Sequence, residues 1–569
     1  MKTNTPLKYH AAAFLLLFSS MLQPWSAQAA GPLAPPGAPA PMWKTLQEVE
    51  PRTLISSVPF TISAPGSYYL SNSLAVATGN AITIAANGVT LDLNGFTLSS
   101  SAASATGYGI YINSSWNDIA ILNGHVQGGV TDNGSGSFSG PGFAAGIMGG
   151  SAANVRVSGV SVSGVLYYGI YLNSSGSTVV EECTVNTVGS YGINASVVES
   201  CSAFDCGSYG IVAEQVSDSA GQAYFDIGVY ATTAINCYGT SSGTGYGLYA
   251  TEAENCYGSA STGYYGLTAT TANNCYGSTY NTNGDGINAS DANGCYGYGG
   301  YAGVYAGATA HGCYGYSYDG YGVYAYAANN CYGYSSISPA PSASYAGVYA
   351  RAANNCYGYS YTSSYNNYGV QALTANNCYG YGSTGPGVYC DSGNAENCYG
   401  YSFSSYGVYA HAANNCSGYS TNSYGVYATT AINCYGQSLS SYGLDAITAN
   451  NCYGVSQNND GMDASTANNC YGYSAAGSYG LYCSLANNCY GVCYGSGTGG
   501  YGLYAVMSAN NCYGYCSRSS SIGLYSQIAI GCYGYDYGTS SYGLTAYIGN
   551  SSYGVGTTAK NVTWPYNMP

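Results

Sequence analysis

The residues best equipped for chemistry in this chain are its 23 cysteines. Sixteen of them, from Cys237 to Cys532, sit in a recurring Asn-Cys-Tyr-Gly unit at gaps of 18 to 25 residues. A period near 18 to 20 residues places successive cysteines on neighbouring coils of a solenoid, ~4.8 Å apart, as one column. Three chemistries are open to such a column. Thiols pack as small hydrophobes, bridge between coils, or hold a soft metal. Cys489/Cys493 and Cys512/Cys516 have the spacing of a zinc tetrad on paper. Residues four apart on a strand lie ~13 Å apart, so both cannot hold one ion. A disulfide between Cys493 and Cys516 on successive coils fits better. Cys390 and Cys483 replace an inward alanine and are expected to pack.

Carboxylates are the second possibility. Only 5% of the residues are charged, and the formal net charge is −15. A glycosidase needs two carboxyl groups at a set distance, and a lyase needs a cationic base with a calcium-binding cluster. Asp285, Asp460 and Asp463 read as separate turn residues. Asp92 and Asp118 could stack on adjacent coils, but Asp92 lies within the Asn87 to Phe96 entry stretch and reads as structural. The basic residues of the body are Arg156, Arg351 and Arg518, and His311-Gly312 lacks following basic residues. No catalytic, cofactor-binding or metal residue is assigned, and a carbohydrate-active enzyme is the alternative reading. With so few cations, nucleic acid is excluded as a partner.

Tyrosine, with 70 copies, is the third. Older repeats show which way each position faces. Two residues after the cysteine come Val185, then Ala203, then glycine in every later copy, so this position and the cysteine point inward. The residue between is Thr184, Ser202, then tyrosine, except at Ser417, and points outward. In Tyr406 to Ala410, Val408 and Ala410 face in and Tyr409 faces out. Tyr399, Tyr409, Tyr435, Tyr453 and Tyr471 therefore mark an outward contact surface. Cross-strand stabilisation accounts for stacked rings as well as function does. The functional readings are sugar stacking, self-association and oxidative cross-linking.

These positions require a particular backbone. The residue before each repeat cysteine is Asn or Gly, the types that tolerate positive φ, which predicts a left-handed turn and an asparagine ladder. The fold class is all-β: a right-handed parallel β-helix of roughly 24 coils of about 18–25 residues. A left-handed hexapeptide helix needs an aliphatic residue every six positions, which Val408, Ala410, Cys416 and Gly418 do not supply.

The chain divides accordingly. Residues 1–29 have the charged start, apolar stretch and Ala27-Gln28-Ala29 site of a signal peptide. Residues 30–53 are a Pro-rich linker and entry segment, and 54–81 an N-terminal cap. Residues 82–236 form aliphatic coils, 237–550 Cys-Tyr-Gly coils, and 551–569 a C-terminal cap or tail. Ser219 holds the place of an absent cysteine, and Ser335 to Ser344 is a loop. No later segment is long and apolar enough to span a bilayer.

The stretch Asn87-Gly88-Val89-Thr90-Leu91-Asp92-Leu93-Asn94-Gly95-Phe96, the later cysteine coils and the ending Lys560-Asn561-Val562-Thr563-Trp564-Pro565 carry a likeness. They resemble secreted bacterial right-handed parallel β-helix repeat proteins of the pectate-lyase-like solenoid fold. The resemblance implies a fold and export but no defined activity, and the Tyr-Gly enrichment departs from it. The expected role is an exported, non-enzymatic structural or adhesive solenoid at the cell surface or secreted. Its partners would be polysaccharide, extracellular matrix or itself.

Overall fold

The computed structural model describes residues 49–336, 344–361 and 367–568. The signal-peptide and linker readings, and the middle of the 335–344 loop, lie outside the described residues. Met1–Pro51 and Arg52–Pro569 are separate compact units.

The second unit is a parallel β-solenoid of about 26 turns. Its strands belong to one continuous parallel ladder of 55, and the two-stranded antiparallel hairpin Thr131–Asp132/Phe138–Ser139 stands apart. At ~4.8 Å per turn the ladder is roughly 120 Å long. The first strand, Thr53–Ile55, already pairs with Gly66–Leu70, and the last, Thr558–Tyr566, pairs with Tyr542–Asn550.

One coil shows how residue type dictates path. Tyr399–Ser402 is followed by a turn and then by Val408–Asn414. Along the second segment Val408, Ala410 and Ala413 are buried, whereas His411 and Ala412 both point out. Two successive outward residues break the period-two alternation and turn a corner. Tyr399 is in register with Tyr379 and Ser417, and Val408 with Val388 and Val426.

The left-handed turn is where the asparagines predicted it. Asn415 and Asn433 have φ of 52°, and Gly294, Gly312 and Gly531 have φ of 60°. Asn433 Nδ2 donates to Asn415 Oδ1 at 3.1 Å, and Asn451 to Asn433 at 3.2 Å. A second ladder runs beside it, with Asn487 donating to Asn468 and Asn510 to Asn487, each at 2.9 Å.

The interior of the cysteine coils is very thin. A methyl group added at Gly400 would lie 1.9 Å from the carbonyl oxygen of Gly407, across the coil. Backbone therefore meets backbone between the two walls, and Gly, Ala, Cys, Ser, Val and Leu fill the remaining space. The earlier coils are wider and hold Ile55, Leu91, Ile121 and Phe143 at full burial. Buried serines close the turn: Ser420 Oγ donates to Ser405 O at 2.6 Å and accepts from Ser423 N at 2.9 Å, tying adjacent coils together.

Candidate functional site

The outward face of the first strand carries two tyrosine ladders, because residues two apart share a face. The first runs from Tyr238 to Tyr399 with centroids 4.6 to 5.1 Å apart and ring planes within 10°. It resumes from Tyr435 through Tyr453 and Tyr471 to Tyr553. The second, from Tyr298 to Tyr419, has centroids 4.4 to 5.2 Å apart. Tyr409 belongs to a third, on the next wall, stacked at 5.1 Å against both Tyr389 and Tyr427.

The rings stack along the solenoid at about one strand spacing, as the outward column implies. Within a ladder each ring face is covered by the next ring, so solvent meets ring edges and phenol hydroxyls. Tyr399, Tyr435 and Tyr453 remain 38 to 39% exposed in this way. Burial against neighbours pushes the Tyr359 and Tyr513 phenols up to about 12, so these rows stay uncharged in neutral solution.

Ser417 is the exception in the first ladder. It lies in register between Tyr399 and Tyr435, and the ring faces on either side of it lack a partner within that ladder. Ser417→Tyr should complete the stack and add two ring pairs, each worth ~0.2–1 kcal/mol. A small rise in the thermal midpoint is expected, and a fall would show that the slot does not admit a ring.

Behind this face stands the thiol column. All 23 cysteines are buried. Cys416 Sγ lies 3.2 Å from Ala395 O of the preceding coil and 3.3 Å from Asn414 O of its own. Ser219 fills the vacant rung as anticipated, accepting from Cys201 N at 3.0 Å, and Ser552 does the same for Cys532 N. Cys390 and Cys483 take inward alanine positions. Burial pushes their thiols, and that of Cys206, well above the ordinary range, which suppresses thiolate chemistry. Cys493 and Cys516 are register partners on adjacent strands, and Arg518 is buried nearby with its Nε on Tyr494 O at 2.8 Å.

The carboxylates are arranged differently from the reading of isolated turn residues. Asp445 and Asp463 are register partners, both facing outward. Burial, with the Asp463 charge beside it, pushes the Asp445 carboxyl up to about 6. Asp460 is buried and accepts from Tyr479 N at 2.7 Å. Asp285 is also buried, and burial pushes it up to about 7; its Oδ2 accepts from Asn288 at 2.8 Å and its Oδ1 has no partner. Asp92 and Asp118 do not stack: Asp92 is in register with Leu122 and pairs with Arg52 at 3.3 Å. Arg156 pairs with Glu181 at 2.7 Å, and Arg351 lies over the Tyr326 ring. His311 occupies a rung of the second asparagine ladder, between Asn293 and Asn329. Among the described residues no group of three His, Cys, Asp or Glu is placed to hold a metal ion.

No protein-family model matches this chain, and neither a curated protein nor a solved structure does. The class rests on the coordinates alone: a parallel β-solenoid with cysteine, asparagine and tyrosine ladders, an arrangement that fits a structural or binding role. Among the described residues no helix is long and apolar enough to cross a membrane.

Proposed function

We propose that the chain is an exported, non-enzymatic structural or adhesive solenoid whose tyrosine ladders make weak, repeated contacts, first of all with other copies of itself. One observation carries this reading. The ladders present ring edges and hydroxyls at a spacing of about one strand, over nine consecutive rings from Tyr238 to Tyr399. A second copy has the same spacing, so two ladders can mesh rung by rung without strain, as identical side chains do in zipper interfaces. Many weak contacts then sum to avidity without a deep pocket. Polysaccharide or matrix polymers are the other partners of this reading. Export through residues 1–29 and kinship with secreted β-helix proteins belong to it as well, and a mature terminus near Ala30 would check the former. A disulfide between Cys493 and Cys516 would fasten two adjacent coils of such a rod.

The carbohydrate-active alternative has less support. Asp445 and Asp463 lie side by side among tyrosines, and a like-charged pair one strand apart is not the opposed arrangement of a glycosidase.

Replacing Tyr399, Tyr435, Tyr453 and Tyr471 with serine, the residue natural at Ser417, tests the reading. Light scattering should show reversible bundling of the parent chain that persists to about 0.5 M salt, where exposed ion pairs are screened. The variant should keep its β-spectrum and lose that bundling. Unchanged bundling in the variant, or depolymerisation of a glycan by the parent, would defeat the proposal.

A further inference from the structure

One coil departs from the repeat in a way that stability does not require. Register partners Asp118 and Asn154 are 36 residues apart, against 18 for Asn415 and Asn433. The extra length forms the antiparallel hairpin Thr131–Asp132/Phe138–Ser139. Its tip is internally fixed. Asp132 accepts from Gly134 N at 2.8 Å and Gly136 N at 3.0 Å, and Asn133 Oδ1 accepts from Ser135 Oγ at 2.7 Å. The tip is also latched to coils further along the chain. The Phe138 ring meets the Tyr224 ring edge-on at 6.2 Å, the Asp132 carboxylate beside the Tyr224 phenol holds it above its ordinary range, and Gly136 sits so close to Phe225 that a methyl group would lie 2.9 Å from that ring.

The latched hairpin bounds a cleft of about 730 Å³, within the ~300–1,000 Å³ typical of ligand sites. Its other walls include Gln127, Ser163, Thr187, Asp205, Gln222 and Tyr224. Thr187 and Asp205 hold left-handed backbone, at φ of 57° and 53°, where a β-branched threonine is strained. Such strain persists only where the surroundings impose it. The lining holds carboxylate, amide and hydroxyl groups and no cation. That set accepts from and donates to vicinal hydroxyls and repels anions. Asp132 is committed to the two amides of the hairpin turn, so a second free carboxyl for acid–base work is missing. The cleft also opens onto a track: Gln222 is in register with Thr240, then Ser259, Ser278 and Tyr298, the start of the second tyrosine ladder.

From this geometry we infer that the hairpin cleft is a binding site for the end of a neutral, hydroxyl-rich oligosaccharide. The remainder of the ligand would run along the Thr240–Ser278 track. This inference does not depend on self-association through the ladders.

Titration calorimetry on the full chain tests it, with cellohexaose, xylohexaose and mannohexaose as neutral probes and tetragalacturonate as the acidic one. At least one neutral hexasaccharide should bind, and tetragalacturonate should bind at least tenfold more weakly. The double variant Asp205→Asn/Gln222→Ala, which alters two surface side chains, should weaken binding tenfold or more with an unchanged β-spectrum. Replacing residues 131–139 by a short Gly-Ser link should abolish it. The four-tyrosine serine variant should bind as the parent does. Absence of neutral binding, tighter binding of tetragalacturonate, or unchanged affinity in the folded double variant would overturn the assignment. If the double variant does not fold, Gln127→Leu provides the same test from the other end of the cleft.

Discussion

Gly400→Ala is expected to split the unfolding of the solenoid into separate transitions. The new methyl group would lie 1.9 Å from the Gly407 carbonyl oxygen and 2.5 Å from its carbon. Both belong to backbone held in the ladder, so neither can swing aside as a side chain would. Overpacking costs ~1–3 kcal/mol where side chains can adjust, and here the cost should exceed about 3 kcal/mol. In a solenoid each coil contacts only its neighbours, so the damage stays local and uncouples the stacks on either side. Hydrogen exchange should quicken in the coils around Gly400 and stay slow far from it. Gly307→Ala is the control, since the nearest atom to its methyl group would be 3.9 Å away. Equal stability of the Gly400 variant and the parent would mean that the walls can separate.

Acid should stabilise this protein rather than unfold it. Asp285, moved by burial from 3.8 to about 7, holds its proton more tightly in the fold than in the open chain. Its stabilising share is fully present below about pH 3.8 and fades as pH rises through 7. For one such group the linked change is on the order of 4 kcal/mol. Asp445 and Asp460, each pushed up to about 6, act in the same direction. The thermal midpoint should therefore be higher at pH 4 than at pH 8. Asp285→Asn should remove the largest single share of that difference by raising the pH 8 value, with Asp445 and Asp460 supplying the rest. A midpoint that falls steadily on acidification, or a variant with the parent's full slope, would contradict this account.

The repeat logic reached as far as the repeats do. Inward and outward positions, the turn at Asn415 and the rung at Ser219 all follow from alternation and a period of 18. The same logic would have placed Tyr401 beside Tyr399, two residues on and on the same face. It would also have paired Asp445 with Asp463, which are one period apart. Both relations are implied by strand alternation and the period of 18. The thin interior was not legible, since it depends on Gly400 meeting Gly407 across the coil, a distance that no spacing along the chain encodes. The hairpin cleft lies in a single irregular coil, where periodicity has nothing to compare.

Insertions enter this chain almost entirely at one corner. From Val348 to Cys356 and from Val408 to Cys416 the step is eight residues, whereas the step from Cys356 to Val370 is 14 and from Cys398 to Val408 only 10. The variable corner follows the strand that ends in the buried serine, and the rest of the cross-section varies by one or two residues, as from Val388 to Cys398, where the step is 10. Such a molecule is graduated like a ruler. Removing the 18 residues from Cys416 through Asn433 would shorten it by one graduation of ~4.8 Å and leave every other mark in place, so gene duplication can set its length in whole steps.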